Sequence, residues 1–264
     1  MEEKQLEQVF QHFRKEEQPF IDTAHSWIIQ VREQYAPYLT DFLDPRQQYI
    51  LEMLVGKKGE VQVHFYGGYE TAERRRALIS PEYFDPQQED YEIKLYEIQY
   101  PIKFSELSHG KVLGTLMGIG MRREMFGDIM SDGVRWQFFV AENVSNYVEN
   151  QVTKIGKISV RLQEKSYVDL IIPIDNWSME QETVSSLRVD TVISSIYNIS
   201  RQRAKELVTG GKVKLNWAQQ ERPDFELGML DILSIRGYGR IQVKEIMGKS
   251  KKDKWRVQFG VLRK

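Results

Sequence analysis

The chain has 264 residues, of which 41% are hydrophobic and 28% are charged, a composition typical of a globular protein and not of a disordered or fibrous one. It contains no cysteine, which excludes disulfides, thiolate zinc sites, iron-sulfur clusters and cysteine nucleophiles. The sequence has no uncharged run of about 18 apolar residues, so no membrane span is predicted. The first residues, MEEKQLEQVF, are acidic and amphipathic where a signal peptide would be basic and then apolar, so we expect a cytoplasmic protein with no membrane partner.

Charge is distributed unevenly along the chain. The whole sequence carries 37 basic and 38 acidic residues, but residues 182–264 hold 17 basic against 9 acidic side chains. Exposed Lys and Arg bind polyanions through phosphate contacts and counterion release. The basic excess indicates either a polyanion partner or a solvated charged face, and composition alone does not decide between them.

Three helices and one strand are predicted in the first 66 residues. Apolar residues at helical spacing predict helices over LEQVFQHF and over residues 20–35. Asp44 as N-cap and Pro45 at the first helical position predict a third helix, which ends before Gly56. The sequence VQVHFY, residues 61–66, predicts a strand.

The middle of the chain has the predicted element order β-α-β-β-α-β. YEIKLYEIQY predicts a strand, SELSHGKVLGTLMGIG a helix, and GDIMSDGVRWQFFV a hairpin that turns at Asp132 and Gly133. AENVSNYVENQV predicts a second helix and GKISVRLQE a fourth strand. This order is typical of the ferredoxin-like arrangement, which RNA-recognition modules share with metabolite and metal binders, so it does not decide a function.

The last segment predicts a small α+β unit. Apolar spacing predicts a helix over residues 189–196, and Ser200 caps a second helix that ends at Gly210 and Gly211. KVKLNW, MLDILSI, RIQVKEIM and WRVQFGVL predict short strands, with the basic loop GKSKKDK between the last two.

The predicted fold is therefore a multi-domain α+β chain. Residues 1–80 form a helical N-terminal domain with a strand, residues 81–166 a ferredoxin-like domain that is a candidate for RNA binding, and residues 182–264 the small α+β domain. Residues 67–90 combine Gly, Pro and acidic side chains, and we expect the linker between the first two domains there.

Basic side chains lie in the first turns of the second helix of the last domain. Arg201 and Lys205 share one flank of its apolar face, whereas Arg203 points to the opposite flank. Cations in the first turn oppose the helix dipole at a cost of up to about 1 kcal/mol each, so a favourable interaction must compensate for that cost. A phosphate held by the N-terminal amides, the Ser200 hydroxyl and the guanidinium groups would supply one. Alternatively, Arg is a good helix former whose exposed penalty is small.

Four ordered segments resemble the RNA-binding domain named after small-subunit ribosomal protein S-four. They are SLRVD, SRQRAKELV, GGKVKLN and DILSIRGYGR. In that family two short helices and the following strand grip structured RNA. The resemblance implies phosphate and sugar contacts at these positions: Arg188, Ser200, Arg201, Arg203, Lys205, Lys212 and Asn216, with Arg236 and Arg240 nearby. Leu230 stands where the family often has Gly, a departure that bears on the local turn.

The segments HFYGGYETAERRRALI and LSHGKVLGTLMGIGMRREMFGDIM, together with the last domain, resemble the YlmH family of bacterial proteins over essentially the whole chain. That family has a small N-terminal domain, a middle domain of RNA-recognition-like topology and an S-four-type C-terminal domain. The resemblance implies a non-enzymatic protein that binds rRNA and tRNA. Its implied partner is a large ribosomal subunit still carrying peptidyl-tRNA, during rescue of stalled ribosomes. Other quality-control proteins or division proteins are further implied partners.

Side chains outside the last domain leave two alternatives open. Residues 74–76 are the basic run of the front half. One alternative is that they bind RNA or a partner protein, and the other is that they lie on a solvated face. Five aromatic side chains of the middle segment are either base-stacking platforms or core residues. They are Tyr91, Tyr96, Tyr100, Trp136 and Phe138.

The motifs of common enzyme classes are incomplete. The four histidines lack the spacing of a metal-binding helix, and GKS at residues 248–250 lacks the upstream Gly of a phosphate loop. We therefore expect no metal and no cofactor. The alternative is an RNA-modifying enzyme of the pseudouridine synthase or methyltransferase type, because such enzymes often carry the same small domain. A third possibility is an interaction protein of the cell-division machinery.

Overall fold

The computed structural model describes residues 13–56, 60–172 and 177–264, which belong to two compact units divided between residues 173 and 174. The helix expected over LEQVFQHF lies outside the described residues except for Phe13. The division into three domains stays a prediction. Within the described ranges, no helix is long and apolar enough to cross a membrane.

The first unit begins with two helices and a three-stranded antiparallel sheet. Its elements are α1 (Gln18–Gln34), β1 (Tyr38–Leu43), α2 (Pro45–Val55), β2 (Val61–Tyr66) and β3 (Arg75–Pro81), with the strand order β1-β3-β2. The helices predicted near 20–35 and 45–55 and the strand over 61–66 are confirmed. β1 and β3 were not predicted, so this part of the chain has three strands in the described residues instead of one.

Local chemistry explains why α2 was predictable. The Asp44 carboxylate accepts a hydrogen bond from the Gln47 backbone N at 2.9 Å, and the Gln47 side chain accepts one from the Asp44 backbone N at 2.9 Å. This reciprocal capping box satisfies two amides that the helix itself leaves free. Gly56 ends the helix at φ 71, in the left-handed region that favours glycine.

Part of the linker expected over residues 67–90 is a strand instead. β3 lies inside that range, forms the centre of the three-stranded sheet, and is buried from residue 76 to residue 81. The two glycines before it serve close packing, because a Cβ at Gly67 would clash with the Arg74 carbonyl and one at Gly68 with the Phe139 ring. Composition predicted a linker in a range whose first part contains a tight turn and a buried strand.

The middle of the chain follows the predicted element order. The elements are β4 (Ile93–Gln99), α3 (His109–Gly118), β5 (Phe126–Ser131), β6 (Trp136–Ala141), α4 (Glu142–Gln151) and β9 (Arg161–Lys165). A short hairpin that was not predicted, β7 (Lys154–Ile155) and β8 (Ile158–Ser159), precedes the last strand. The four-stranded antiparallel sheet has the order β5-β6-β4-β9.

Both faces of this four-stranded sheet are covered by described residues. Tyr96 and Phe138 pack under α3 and α4, whereas Phe139 packs on the other side against Phe42 of the three-stranded sheet. Tyr96 and Phe138 are 0% exposed and Tyr91 is 6% exposed. These three aromatic side chains are core residues, so their interpretation as base-stacking platforms is wrong.

Arg76 is buried, and the interpretation of residues 74–76 as a solvated face is wrong for it. Its side chain is 4% exposed and donates to the carbonyl oxygens of Thr40 at 2.7 Å, Tyr91 at 3.0 Å and Glu92 at 3.0 Å. Burial lowers the pKa of Arg76, with partial compensation from Glu92 and Asp41. The guanidinium therefore ties β1 to the start of β4.

Arg74 and Asp128 make a second buried connection in the first unit. Arg74 is 3% exposed and donates to the Phe42 carbonyl at 2.8 Å. Asp128 accepts hydrogen bonds from the Tyr69 hydroxyl at 2.8 Å and the Glu73 backbone N at 2.7 Å. Burial raises the pKa of Asp128 above its ordinary value, with Glu73 adding to the rise. These bonds hold the connection before β3 against β5.

The second unit contains one mixed core of two helices and a six-stranded sheet. Its elements are β10 (Ser178–Val184), α5 (Val189–Ile196), α6 (Arg201–Thr209), β11 (Val213–Leu215), β12 (Ala218–Gln219), β13 (Ile232–Ile235), β14 (Gly239–Lys249) and β15 (Trp255–Arg263). The strand order is β10-β15-β14-β13-β11-β12. Both helices and four of the strands match the predicted segments. β10 was not predicted, because SMEQETV alternates only weakly.

Substitution of Arg76 tests the buried connection to β4. We expect Arg76→Met to lower the free energy of unfolding by about 3 kcal/mol, because buried carbonyl oxygens lose their charged donor. Urea unfolding followed by circular dichroism measures this change. The matched control is Arg122→Met, which removes an exposed ion pair with Asp41 at 2.9 Å and should change stability by less than about 1 kcal/mol. Equal effects of the two substitutions would contradict the assignment.

Candidate nucleic-acid interface

The start and end of α6 follow the sequence prediction. The Ser200 hydroxyl accepts a hydrogen bond from the Arg203 backbone N at 3.1 Å, as an N-cap residue does. At the other end Gly211 has φ 66, and the Lys212 backbone N donates to the Leu207 carbonyl at 3.0 Å. Ser200 is therefore occupied as a helix cap in this structure.

A buried carboxylate joins α5 to α6. Asp190 is 0% exposed and lies 3.3 Å from Arg188 Nε and 3.1 Å from Arg201 Nε. Burial by itself raises the pKa of Asp190, but the hydrogen bonds from Arg201 and Arg188 outweigh it and hold the pKa below its ordinary value. Asp190 is thus the charged centre that orients two of the predicted contact residues.

Two of the three cations of α6, Arg201 and Arg203, already have carboxylate partners inside the protein. Arg201 pairs with Asp190, and Arg203 Nη1 lies 3.1 Å from Glu206 Oε2 one turn later. Carboxylates therefore supply the compensation that was expected for these two arginines, and a phosphate is not required for it. Their side chains nevertheless remain about half exposed, at 49% and 51%, so each can still reach an external anion.

Three further predicted residues are exposed and have no ion pair within the described residues. They are Lys205 on α6, Lys212 before β11, and Arg236 in the turn between β13 and β14. The Arg236 backbone N donates to the Lys212 carbonyl at 2.9 Å, which places those two positions side by side. We call Arg188, Arg201, Arg203, Lys205, Lys212 and Arg236 the basic face.

Asn216 has a structural contact at each end of its amide group. Its Nδ2 donates to Asp231 Oδ1 at 2.9 Å, and its Oδ1 accepts from the Ile232 backbone N at 2.9 Å. Asp231 is 0% exposed, and its carboxylate also accepts a hydrogen bond from the Gly228 backbone N at 2.8 Å. Asn216 therefore fixes the chain between β11 and β13.

Arg240 lies apart from the helices, among aromatic rings. Its guanidinium carbon is 5.4 Å from the ring centre of Trp177 and 6.0 Å from that of Trp217, distances typical of cation-π contacts. Asp190, Trp177 and Trp217 were not selected from the sequence. The one available signal was Asn216-Trp217 between two strands, where a tight turn normally has Asn-Gly.

The turn at Leu230 keeps its left-handed backbone without glycine. Leu230 has φ 61, and its backbone N donates to the Val243 carbonyl at 2.8 Å. A left-handed conformation costs a non-glycine residue about 1 kcal/mol or more. The surrounding hydrogen bonds therefore hold Leu230 in a strained conformation.

Substitution of Asp190 tests its role as the charged centre. A depressed carboxylate pKa contributes stability above the unfolded pKa of about 4, and this contribution is lost as the pH falls through the folded value. We expect Asp190→Asn to speed hydrogen exchange of the α5 and α6 amides at pH 7. The difference from the unsubstituted chain should shrink as the pH falls below about 4. A difference that does not depend on pH would indicate packing and not charge.

Substitution of Leu230 tests the backbone strain. We expect Leu230→Gly to raise the free energy of unfolding of the second unit by about 1 kcal/mol, because glycine adopts the left-handed region without a Cβ clash. Hydrogen exchange of β13 and β14 amides reports this change. Faster exchange in the variant would show that the contacts of the Leu side chain outweigh the strain.

Comparison with known proteins places the chain in a family. Residues 16–84 match a family model described as "YlmH, N-terminal", and residues 86–169 match one described as "Putative RNA-binding domain in YlmH". Over 254 residues the chain is 44% identical to a Bacillus subtilis (strain 168) protein named "Ribosome-associated protein quality control protein P2", with 96% of this chain and 98% of that protein covered.

A solved structure agrees with these matches. The structure described as "Cell division protein ylmH from Streptococcus pneumoniae" is 37% identical to this chain, with a TM-score of 0.54. The similarity covers 61% of this chain and 98% of that one. Since two domain models and a relative aligned over nearly the whole sequence agree, the chain belongs to the YlmH family.

Proposed function

We propose that this protein is a non-enzymatic RNA-binding protein that acts in ribosome-associated quality control. The observation that carries the proposal is the basic face, whose cations lie at the starts of α5 and α6, on α6, before β11 and in the turn after β13. The name of the Bacillus subtilis relative, at 44% identity, supports association with the ribosome. In this role the protein binds rRNA and tRNA on a large subunit that still carries peptidyl-tRNA, and it works in the cytoplasm.

The proposal assigns a part to each segment of the chain. Residues 182–264 form an S-four-type domain and supply the main RNA contacts. Residues 81–166 form a ferredoxin-like domain, in keeping with the strand order β5-β6-β4-β9 and the family description as an RNA-binding domain. Residues 1–80 form the N-terminal domain and help to position the protein on the subunit.

The chemistry of the basic face favours recognition of phosphate and shape. Arg201 and Arg203 are held by carboxylates and present the remaining N–H groups of their guanidinium forks, which suit phosphate oxygens. Lys205 and Lys212 act as exposed point charges. Such contacts fix position on a folded RNA without reading base edges, so we expect low base specificity.

A second candidate function is a role in cell division. The solved pneumococcal relative is described as a cell division protein, which favours this alternative. A division role would require a protein partner whose binding survives nuclease treatment. Ribosome binding that is lost after nuclease treatment, with no division protein retained, favours the proposed function.

Removal of two lysines tests the basic face. We expect Lys205→Ala with Lys212→Ala to weaken binding to purified large ribosomal subunits at least about tenfold near 0.1 M salt. The slope of log affinity against log salt should fall by about 1.5, because two phosphate contacts are lost. Sedimentation of subunits with bound protein at several salt concentrations measures both quantities.

The control for this variant changes the same charge elsewhere in the same unit. Lys251→Ala with Lys252→Ala removes two exposed lysines from the loop between β14 and β15. We expect it to lower affinity much less and to leave the salt slope nearly unchanged. Equal losses in the two variants would overturn the assignment of the basic face. New modified nucleosides in rRNA incubated with the protein would overturn the non-enzymatic proposal.

A further inference from the structure

The six-stranded sheet of the second unit has a polar side that faces away from α5 and α6. In the register of β11, β13 and β14, Lys214 lies opposite Ser234, and Ser234 lies opposite Arg240. Neighbours in this row share one face of the sheet. The alternate residues, such as Val213 and Ile241, are buried in the core with the helices. Lys214 and Arg240 therefore lie on the outer face, separate from the basic face.

Two tryptophans lie on this outer face around Arg240. The Arg240 guanidinium is 5.4 Å from the Trp177 ring centre and 6.0 Å from the Trp217 ring centre, and Lys244 Nζ is 5.9 Å from the Trp177 ring centre. Trp177 lies close over Gly260, where an added Cβ would be 3.2 Å from its ring. Both indoles are partly exposed.

Trp217 occupies a backbone conformation that normally belongs to glycine. Leu215 pairs with Ala218, so Asn216 and Trp217 form a two-residue hairpin turn, with φ 45 and φ 68. Positive φ at both positions is the turn for which Asn-Gly is strongly preferred. A bulky residue in the left-handed region is an outlier. The hydrogen bonds of Asn216 to Asp231 and Ile232 fix the turn, and tryptophan adds backbone strain there.

The charge of the outer face suits an anion. Besides Lys214, Arg240 and Lys244, it includes Arg256, which pairs across strands with Thr183. Among the described strand residues of this face, Glu245 is the acidic side chain, at the bulge opposite Gln258. Beyond the strands, Glu221 accepts a hydrogen bond at 2.8 Å from Gln219, the strand partner of Lys214. An aromatic ring beside several cations is the arrangement that binds unpaired nucleotides, with the base on the ring and the phosphate on the cations.

We propose that Trp217, with Arg240 and Lys214, forms a second RNA-contact site, which binds an unpaired nucleotide. The base stacks on the Trp217 indole, and the adjacent phosphate contacts Lys214 and Arg240. Trp177 and Trp217 hold the Arg240 guanidinium between them, so it is oriented before RNA binds. This inference rests on the proposed RNA-binding function and adds single-stranded RNA as the substrate class of the outer face.

Substitution of Trp217 by glycine separates binding from stability. The probes are labelled single-stranded oligoadenylate and a blunt duplex of oligoadenylate with oligouridylate. We expect Trp217→Gly in the full chain to weaken oligoadenylate binding at least about fivefold, the lower range for loss of one stacked base, and to leave duplex binding unchanged. Its melting temperature should equal or exceed that of the unsubstituted chain, because glycine relieves the strained turn. Trp217→Phe should keep most of the affinity.

Leu230→Gly is the matched control, because it also replaces a left-handed residue in the same unit with glycine. We expect it to raise the melting temperature without changing oligoadenylate binding. A Trp217→Gly variant that melts lower and binds oligoadenylate normally would overturn the inference and make Trp217 a structural residue. In that case the losses from Lys205→Ala with Lys212→Ala would still support the proposed function. If the unsubstituted chain binds neither probe nor large subunits, the proposed function itself fails.

Discussion

The buried carboxylate of Asp190 is the interaction on which the geometry of the second unit depends. It lies between α5 and α6 and accepts from Arg188 and Arg201, one from each helix start. A fully buried carboxylate must be paired, because an unpaired one would lose its hydration without compensation. The two arginines are therefore held close together, with 35% of the Arg188 side chain and 49% of the Arg201 side chain exposed. One internal charge thus produces an external surface of fixed shape, suited to bidentate contact with phosphate.

Buried cations have the corresponding role in the first unit. Arg76 joins β1 to the chain before β4 through three carbonyl oxygens, and Arg74 contributes a similar bond to Phe42. These bonds accompany the packing of the three-stranded sheet onto the four-stranded one. The sheet face that RNA-recognition modules commonly offer to RNA is covered here by Phe42 and Leu78. Any RNA contact of this segment must therefore use loops, edges or helix surfaces.

The second unit offers two surfaces of different chemistry. The basic face presents arginine forks and lysines from helices and turns, and this arrangement favours the phosphate backbone of a folded RNA. The outer sheet face places indole rings beside Arg240, and this arrangement favours an unpaired base. A ribosomal subunit contains both folded and unpaired RNA. Together the two surfaces would let one small unit recognise a junction between them without reading a sequence.

Local chemistry in the sequence determined the elements with strong end signals and clear periodicity. Helix ends could be predicted at Asp44 with Pro45, at Ser200 and at the pair Gly210-Gly211, because caps depend on neighbouring residues alone. The tertiary structure decided what depends on distant partners. Arg74 and Arg76 are charged yet enter the core, because carbonyl oxygens far away in sequence, 52 residues for Phe126 and 36 for Thr40, accept their hydrogen bonds. Asp190 and Trp217 acquire their roles only once α6 and β14 bring Arg201 and Arg240 beside them. Hydrogen bonds and ring contacts between residues far apart in sequence leave no local pattern, so only the folded chain shows them.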